Sequence, residues 1–240
     1  MNAAQIFYLH SVVYQKPSFI FFYCCLAAAI VIYFPAQLYF LNDDFIHIPL
    51  SAKVDFFQHH SFRPVAELSL YTDYLLWGKN AYGYHLTNLI IHLLCSLFLY
   101  RFSHIFLKRY SHLPVYHIQT SSLIAAGAFL IYAFHSEAIL WILGRAASLC
   151  TLFFLISITC WLKKEIHITY FLLSLLFFMA GLLTYEAIWI MPVLVSAIHL
   201  YERIKNKIEK KQTIFLACFI ILFIVYLLIR YFILGEFVSS

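Results

Sequence analysis

The adjacent aspartates of "LNDDFIHIP", Asp43 and Asp44, follow a long stretch almost without charge. Flanked by Phe40, Leu41 and Phe45, they are partly desolvated, and such a carboxylate costs free energy unless it is paired or put to use. Ending a helix is their plainer role, but the negative end of a helix dipole makes an acid a poor stop. Arg63-Pro64 follows in "SFRPVAELSLYTDYLLWG". Its guanidinium suits an anionic headgroup or substrate, or else a salt bridge within its own loop. "YHLTNLIIHLL" sets His85, Asn88 and His92 within roughly 60° of one another on a helix, a polar stripe on an apolar surface. A stripe of that kind faces protein or a cavity, and bonding between helices is its simplest use. A single metal cannot take both histidines, because seven residues advance about 10 Å along a helix and metal–nitrogen bonds are about 2 Å. "FHSEAILWILGR" gathers His135, Glu137 and Arg145, a titratable base, a carboxylate and a fixed cation. "TYEAIWIMP" adds Glu186 at a junction too short to project the acid into bulk water.

The elements that must position these residues are set by an apolar chain. It is 64% hydrophobic and 11% charged, against about 45–50% and about 25% in a soluble domain. That composition makes it an integral, multi-pass membrane protein of the all-α class. A helix needs about 20 apolar residues to cross the bilayer core, and the sequence predicts about seven transmembrane helices in a single membrane domain over 1–240. They cover roughly Ser18 to Leu41, Tyr84 to Phe106, Gln119 to Phe134, Ala146 to Leu162, Ile168 to Leu183, Ala187 to Leu200 and Thr213 to Phe232. Between the first two, the loop 42–83 holds an amphipathic helix from Pro64, because Val65, Leu68, Leu70, Leu75, Leu76 and Trp77 recur at roughly helical spacing and Pro suits a first helical position. It is expected to lie on the membrane surface.

Lys and Arg fix the orientation, since basic residues near span ends are retained in the cytoplasm. Of the 16, eleven fall on the side of Lys108, Arg109, Lys163, Lys164 and the "ERIKNKIEKK" loop; the other five are Lys53, Arg63, Lys79, Arg145 and Arg230. The N-terminus is therefore expected inside and the C-terminus external or luminal. Eight of the 11 acids gather on the external side, among them Glu67, with solvation the simple reading for Asp55, Asp73 and Glu236. The net charge of +5 reflects topology and membrane lipid, not nucleic acid. The six cysteines all lie in apolar runs without a CxxC pair, which excludes a disulfide framework or zinc cluster as their first reading.

"FRPVAELSLYTDYLLWGKNAYGYHLTNLIIHLL" followed by "HSEAILWILGR" resembles the type C glycosyltransferases, most closely the polyprenyl-phosphate-sugar-dependent O-mannosyltransferase-like proteins that often carry tetratricopeptide repeats. The resemblance runs from about Leu41 to Leu200. It implies a transferase, an inverting hexosyltransferase, that moves a sugar such as mannose from a polyprenyl-phosphate donor to a protein or glycan acceptor on the external or luminal face. The compartment would be the bacterial inner membrane or the endoplasmic reticulum. It also implies that a carboxylate at the position of Asp43 and Asp44 acts as base or holds a divalent cation, Mg2+ or Mn2+, with Asp44 the candidate ligand. Arg63, His85, Asn88, His135, Glu137, Arg145 and Glu186 would serve the substrate, with Arg63, Arg145 and protonated His135 on the phosphate. Tyr132-Ala133 and Tyr185-Glu186 stand where relatives often have His-Pro and Lys-Glu. Set against longer members, only the N-terminal seven-span module is expected, and a partner subunit would supply further spans. A non-catalytic subunit and a solute or ion transporter are the alternatives; a transporter calls for inverted repeats, and none is evident.

Overall fold

The computed structural model describes residues 3–35, 38–41, 43–51, 62–205 and 210–235. Asp55 and Glu236, like Lys53 and Lys207, lie outside the described residues. All regular structure among the described residues is helical: α1 (Ala3–Ile32), α2 (Asp44–Ser51), α3 (Pro64–Trp77), α4 (Ala81–Tyr110), α5 (Val115–Ile131), α6 (Ser136–Leu140), α7 (Arg145–Leu162), α8 (Ile168–Leu182), α9 (Ile190–Ile204) and α10 (Lys210–Leu234). Short 3₁₀ turns, Ala133–His135 and Glu186–Trp189, lead into α6 and α9.

Among the described residues, four helices are long and apolar enough to cross a membrane: α4, α7, α9 taken with its leading turn, and α10. The pair α5 and Ala133–Leu140, bent by 53°, makes a fifth. Length and composition thus support four or five of the seven expected spans, and Pro17–Ile32 of α1 and α8 are apolar but shorter. The first span, expected to reach Leu41, stops at Ile32. Phe34 precedes Pro35, whose ring disfavours the helical conformation for the residue before it.

α4 is the central element, packed on α5 and α7; α1 covers α5, α8 covers α7, and α9 and α10 close the far side. Where α7 meets α8, Ser157 Oγ donates to the Ser174 carbonyl at 2.6 Å and Ser174 Oγ returns a bond to the Ser157 carbonyl at 2.9 Å. Small hydroxyl residues let helices approach closely without leaving a polar group unpaired in an apolar surround. Beside them, Phe171 stacks on Phe215 at 4.0 Å and Phe178 on Phe219 at 4.1 Å.

The expected surface helix is α3, with Pro64 in its first turn. Its apolar residues divide between two faces. Leu68, Leu75 and Leu76 are exposed, while Ala66, Leu70 and Asp73 are buried. With lipid as the neighbouring medium, apolar side chains need no protein cover, and the inward face is free to carry a charge. Gly78, at φ 56, ends α3 by donating to the Tyr74 carbonyl at 2.9 Å, a left-handed cap suited to glycine. Asn80 then caps α4 by accepting from the Tyr82 amide at 3.2 Å.

Candidate active site

One end of the bundle gathers α2, α3, the N-terminus of α4, the α5–α7 junction, the 3₁₀ turn at Glu186 and the C-terminal part of α10. A cavity of ≈500 Å3 lies there, lined by Asp43, His47, Arg63, Glu67, Glu137, Trp141, Arg145 and Tyr185 together with apolar neighbours. These residues come from four separate stretches of chain.

The local folding of each stretch aims its side chains. Asp43 sits in the turn before α2, and its carbonyl accepts from the Ile46 and His47 amides, both at 2.9 Å. One residue on, about 100° round the helix, Asp44 faces the other way, fully buried and lining a second cavity with Phe40, Ile48 and Tyr74. Asp44 Oδ2 accepts from the Leu41 amide at 3.0 Å, whereas Oδ1 forms no full hydrogen bond. Burial pushes the Asp44 carboxyl up; the Leu41 and Leu143 amides, His85 and the Ile142 amide offset this only in part.

Arg63 precedes α3, and the Val65 amide donates to the Leu183 carbonyl at 2.9 Å. That bond satisfies one of the unpaired donors of the helix start and seats Arg63 against Tyr185, 4.6 Å from the ring centre. Arg63 Nη2 donates to Glu186 Oε2 at 2.9 Å. Glu186 does not line the cavity. Its other oxygen takes Arg230 Nη2 at 2.6 Å.

Glu137 stands exposed in the first turn of α6 and lines the cavity. The following turn needs Gly144, because a Cβ there would meet the Glu137 carbonyl oxygen at 2.7 Å and the Ala138 Cα at 3.0 Å. Arg145, 1% exposed, forms part of the cavity wall, but its donors are committed to protein. Nε donates to Asn88 Oδ1 at 2.6 Å, Nη2 to the Tyr84 carbonyl at 2.9 Å, and Nη1 to the Ser69 carbonyl and hydroxyl at 3.3 Å. Asp73 Oδ2 lies 2.5 Å from Nη2. Asp73, expected to solvate a loop, is instead the buried counter-ion of Arg145, and its Oδ1 accepts from Thr87 at 2.9 Å. Sequence reading missed this because the charge falls on the inward face of a helix whose apolar residues suggested the reverse.

The polar stripe of α4 binds its neighbours. His85 Nε2 donates to the Tyr39 carbonyl at 3.2 Å, Asn88 Nδ2 to the Ile139 and Trp141 carbonyls at 3.2 Å each, and His92 Nε2 to the Leu130 carbonyl at 3.2 Å. His135 packs on this side too: its ring lies 5.5 Å from that of His92, its Nδ1 meets the Phe129 carbonyl at 3.0 Å, and it does not line the cavity. Of the residues singled out from the sequence, Asp43, Arg63, Glu137 and Arg145 therefore converge, while Asp44, His85, Asn88, His135 and Glu186 surround them.

Among the described residues, a divalent cation finds no fitting set of donors. The two aspartates face different cavities, and no three His, Cys, Asp or Glu side chains come together in metal-binding geometry among the described residues. What the cavity does offer is the Arg63 guanidinium beside the carboxylates of Asp43, Glu67 and Glu137.

A helical membrane protein with a charged vestibule at one end of its helices is thus defined. No family model and no solved structure match the sequence. Among curated proteins, the chain is 29% identical over 131 residues to protein O-mannosyl-transferase TMTC3 of Mus musculus, a stretch that is 55% of this chain and 13% of the relative. It is 30% identical over 137 residues to Tmtc3 of Drosophila melanogaster, 52% of this chain and 14% of the relative. With tmtc2 of Xenopus laevis the figure is 32% over 106 residues, 44% and 12% respectively. The matched stretch is thus a small part of each relative's length.

Proposed function

We propose that this chain is a membrane glycosyltransferase that passes a hexose, mannose by its likeness to relatives named protein O-mannosyl-transferases, from a polyprenyl-phosphate donor to a protein or glycan acceptor on the external or luminal face. The convergence of Asp43, Arg63 and Glu137 on one cavity carries this reading. Its ≈500 Å3 falls within the range of small-molecule sites, about 300–1,000 Å3.

In this reading Asp43 takes the proton of the acceptor hydroxyl as its oxygen attacks the anomeric carbon. The bond from that carbon to the phosphate oxygen breaks, its electron pair leaves with the phosphate, and the anomeric configuration inverts. Arg63 stabilises the growing charge on the leaving phosphate. Arg145 shapes the wall of the site and Asn88 holds Arg145; neither has donors to spare. Asp44 keeps the turn that presents Asp43. Seven spans, with the N-terminus cytoplasmic and the C-terminus external or luminal, complete the topology proposed.

The test is transfer in proteoliposomes from a polyprenyl-phosphate mannose. Asp43→Asn is expected to lower the rate about 10²–10⁴-fold, the usual weight of a general base, with Asp44→Asn far less affected. Full transfer by Asp43→Asn sinks the assignment.

A further inference from the structure

Tyr185 stands in extended backbone, φ −161 and ψ 146, just before the turn Glu186–Trp189. Its amide donates to the Gly181 carbonyl at 3.1 Å, and its carbonyl accepts from Cys150 Sγ at 3.5 Å, so the residue is tied to both α8 and α7. The side chain lines the vestibule, where the Arg63 guanidinium stands over its ring, 4.6 Å from the centre. Arg63 also donates through Nη2 to Glu186 Oε2 at 2.9 Å. Two consecutive residues thus hold the same guanidinium by two different forces.

We infer that Tyr185 is a positioning residue for the proposed reaction: its ring fixes the tilt of the Arg63 guanidinium, and with it the direction in which the vestibule presents hydrogen bonds to a phosphate. The bond to Glu186 fixes one corner of the guanidinium and leaves the plane to swing about it. Attraction to the ring removes that freedom, because a guanidinium over an aromatic face gains from the ring quadrupole and from flat contact. Direction matters here beyond charge. Asp43, Glu67 and Glu137 line the same cavity and repel an anion, while the donors of Arg145 are committed to protein. A phosphate is therefore held by the geometry of its bonds to Arg63, and a guanidinium grips an oxyanion well only when its fork is aligned. The inference rests on reading Arg63 as the anion-binding residue of that reaction.

Neutral substitutions at Tyr185 leave every charge around the vestibule in place, so they test aim and not charge. Binding of inorganic phosphate and of farnesyl phosphate to the detergent-solubilised full chain would be measured by titration. Tyr185→Leu is expected to weaken both about fivefold, as loss of a partly desolvated cation–π contact should. Tyr185→Phe keeps the ring and should recover binding to within about twofold of wild type. In an Arg63→Gln background the Tyr185→Leu change should cost less than about twofold, because a residue that acts through Arg63 then has nothing to aim. Simple damage to the fold would cost as much without Arg63 as with it. The inference is overturned if Tyr185→Leu binds like wild type, if Tyr185→Phe is as weak as Tyr185→Leu, if the loss is undiminished in the Arg63→Gln background, or if wild type binds neither anion. Should inorganic phosphate follow the expected pattern while farnesyl phosphate does not bind wild type, the inference stands and the polyprenyl-phosphate donor falls. Should both anions follow it while wild-type proteoliposomes transfer no mannose, the inference stands and the transferase reading falls.

Discussion

Burial pushes the Asp44 carboxyl above its ordinary range, which makes native stability depend on pH with a definite sign. At low pH both folded and unfolded chains hold the proton. As pH rises through the unfolded value toward the raised folded one, the unfolded chain gives up its proton more readily and stability falls. Asp44→Asn keeps an acceptor for the Leu41 amide and removes the loss. Its melting temperature in detergent is expected about 2–4 °C above wild type at pH 7, with the gap closing near pH 4; an equal gap at both would refute the account. Arg145 makes the complementary case. Arg145→Met leaves Asp73 buried without its cation and should cost about 3–5 kcal/mol. Adding Asp73→Asn should recover much of that, as urea or thermal unfolding of the three variants would show.

At the scale of elements, the turns do as much as the helices. Gly144 lets α6 fold back against α7, and Gly144→Ala drives a Cβ into the Glu137 and Ala138 backbone. Overpacking of this kind costs about 1–3 kcal/mol and displaces Glu137 from the cavity, so lowered transfer should accompany lowered stability. At the opposite end of the bundle a second ionic cluster ties four helices together. Arg109 pairs with Glu165 at 2.6 Å and Glu202 at 2.7 Å, Tyr110 donates to Glu202 at 2.5 Å, Gln212 donates to Glu165 at 2.8 Å, and the buried Lys164 lies 3.7 Å from Glu202. Glu202→Ala should cost toward the lower end of the about 3–5 kcal/mol of a broken buried pair, because Arg109 is 25% exposed. Transfer at the far vestibule, measured at a temperature where the variant stays folded, should be unchanged. None of this clasp was legible in advance: Lys164 and Glu202 read as ordinary basic-side loop residues, and only the meeting of α4, α7, α9 and α10 makes them partners.

Across the whole molecule, the residues of interest sit at the same ends of successive helices because each crossing reverses the chain. An impermeant maleimide applied to sealed vesicles, with native cysteines replaced, should label Lys79→Cys from outside and Lys205→Cys only after permeabilisation; the reverse pattern would invert the proposed topology. What the sequence by itself determined is the medium and the end of the bundle. A chain that is 64% hydrophobic belongs in lipid, and its scattered acids and arginines recur at alternate junctions, which brings Asp43, Arg63, Glu137 and Arg145 to one side. Only the tertiary structure decided which of them face the cavity and which are spent on each other. Asp43 and Asp44 are chemically identical neighbours, sent to different cavities by about 100° of rotation between successive residues. Arg145 is committed to Asn88 across 57 residues and Arg63 to Glu186 across 123. Such pairings depend on the packing of distant helices, and no local pattern encodes them.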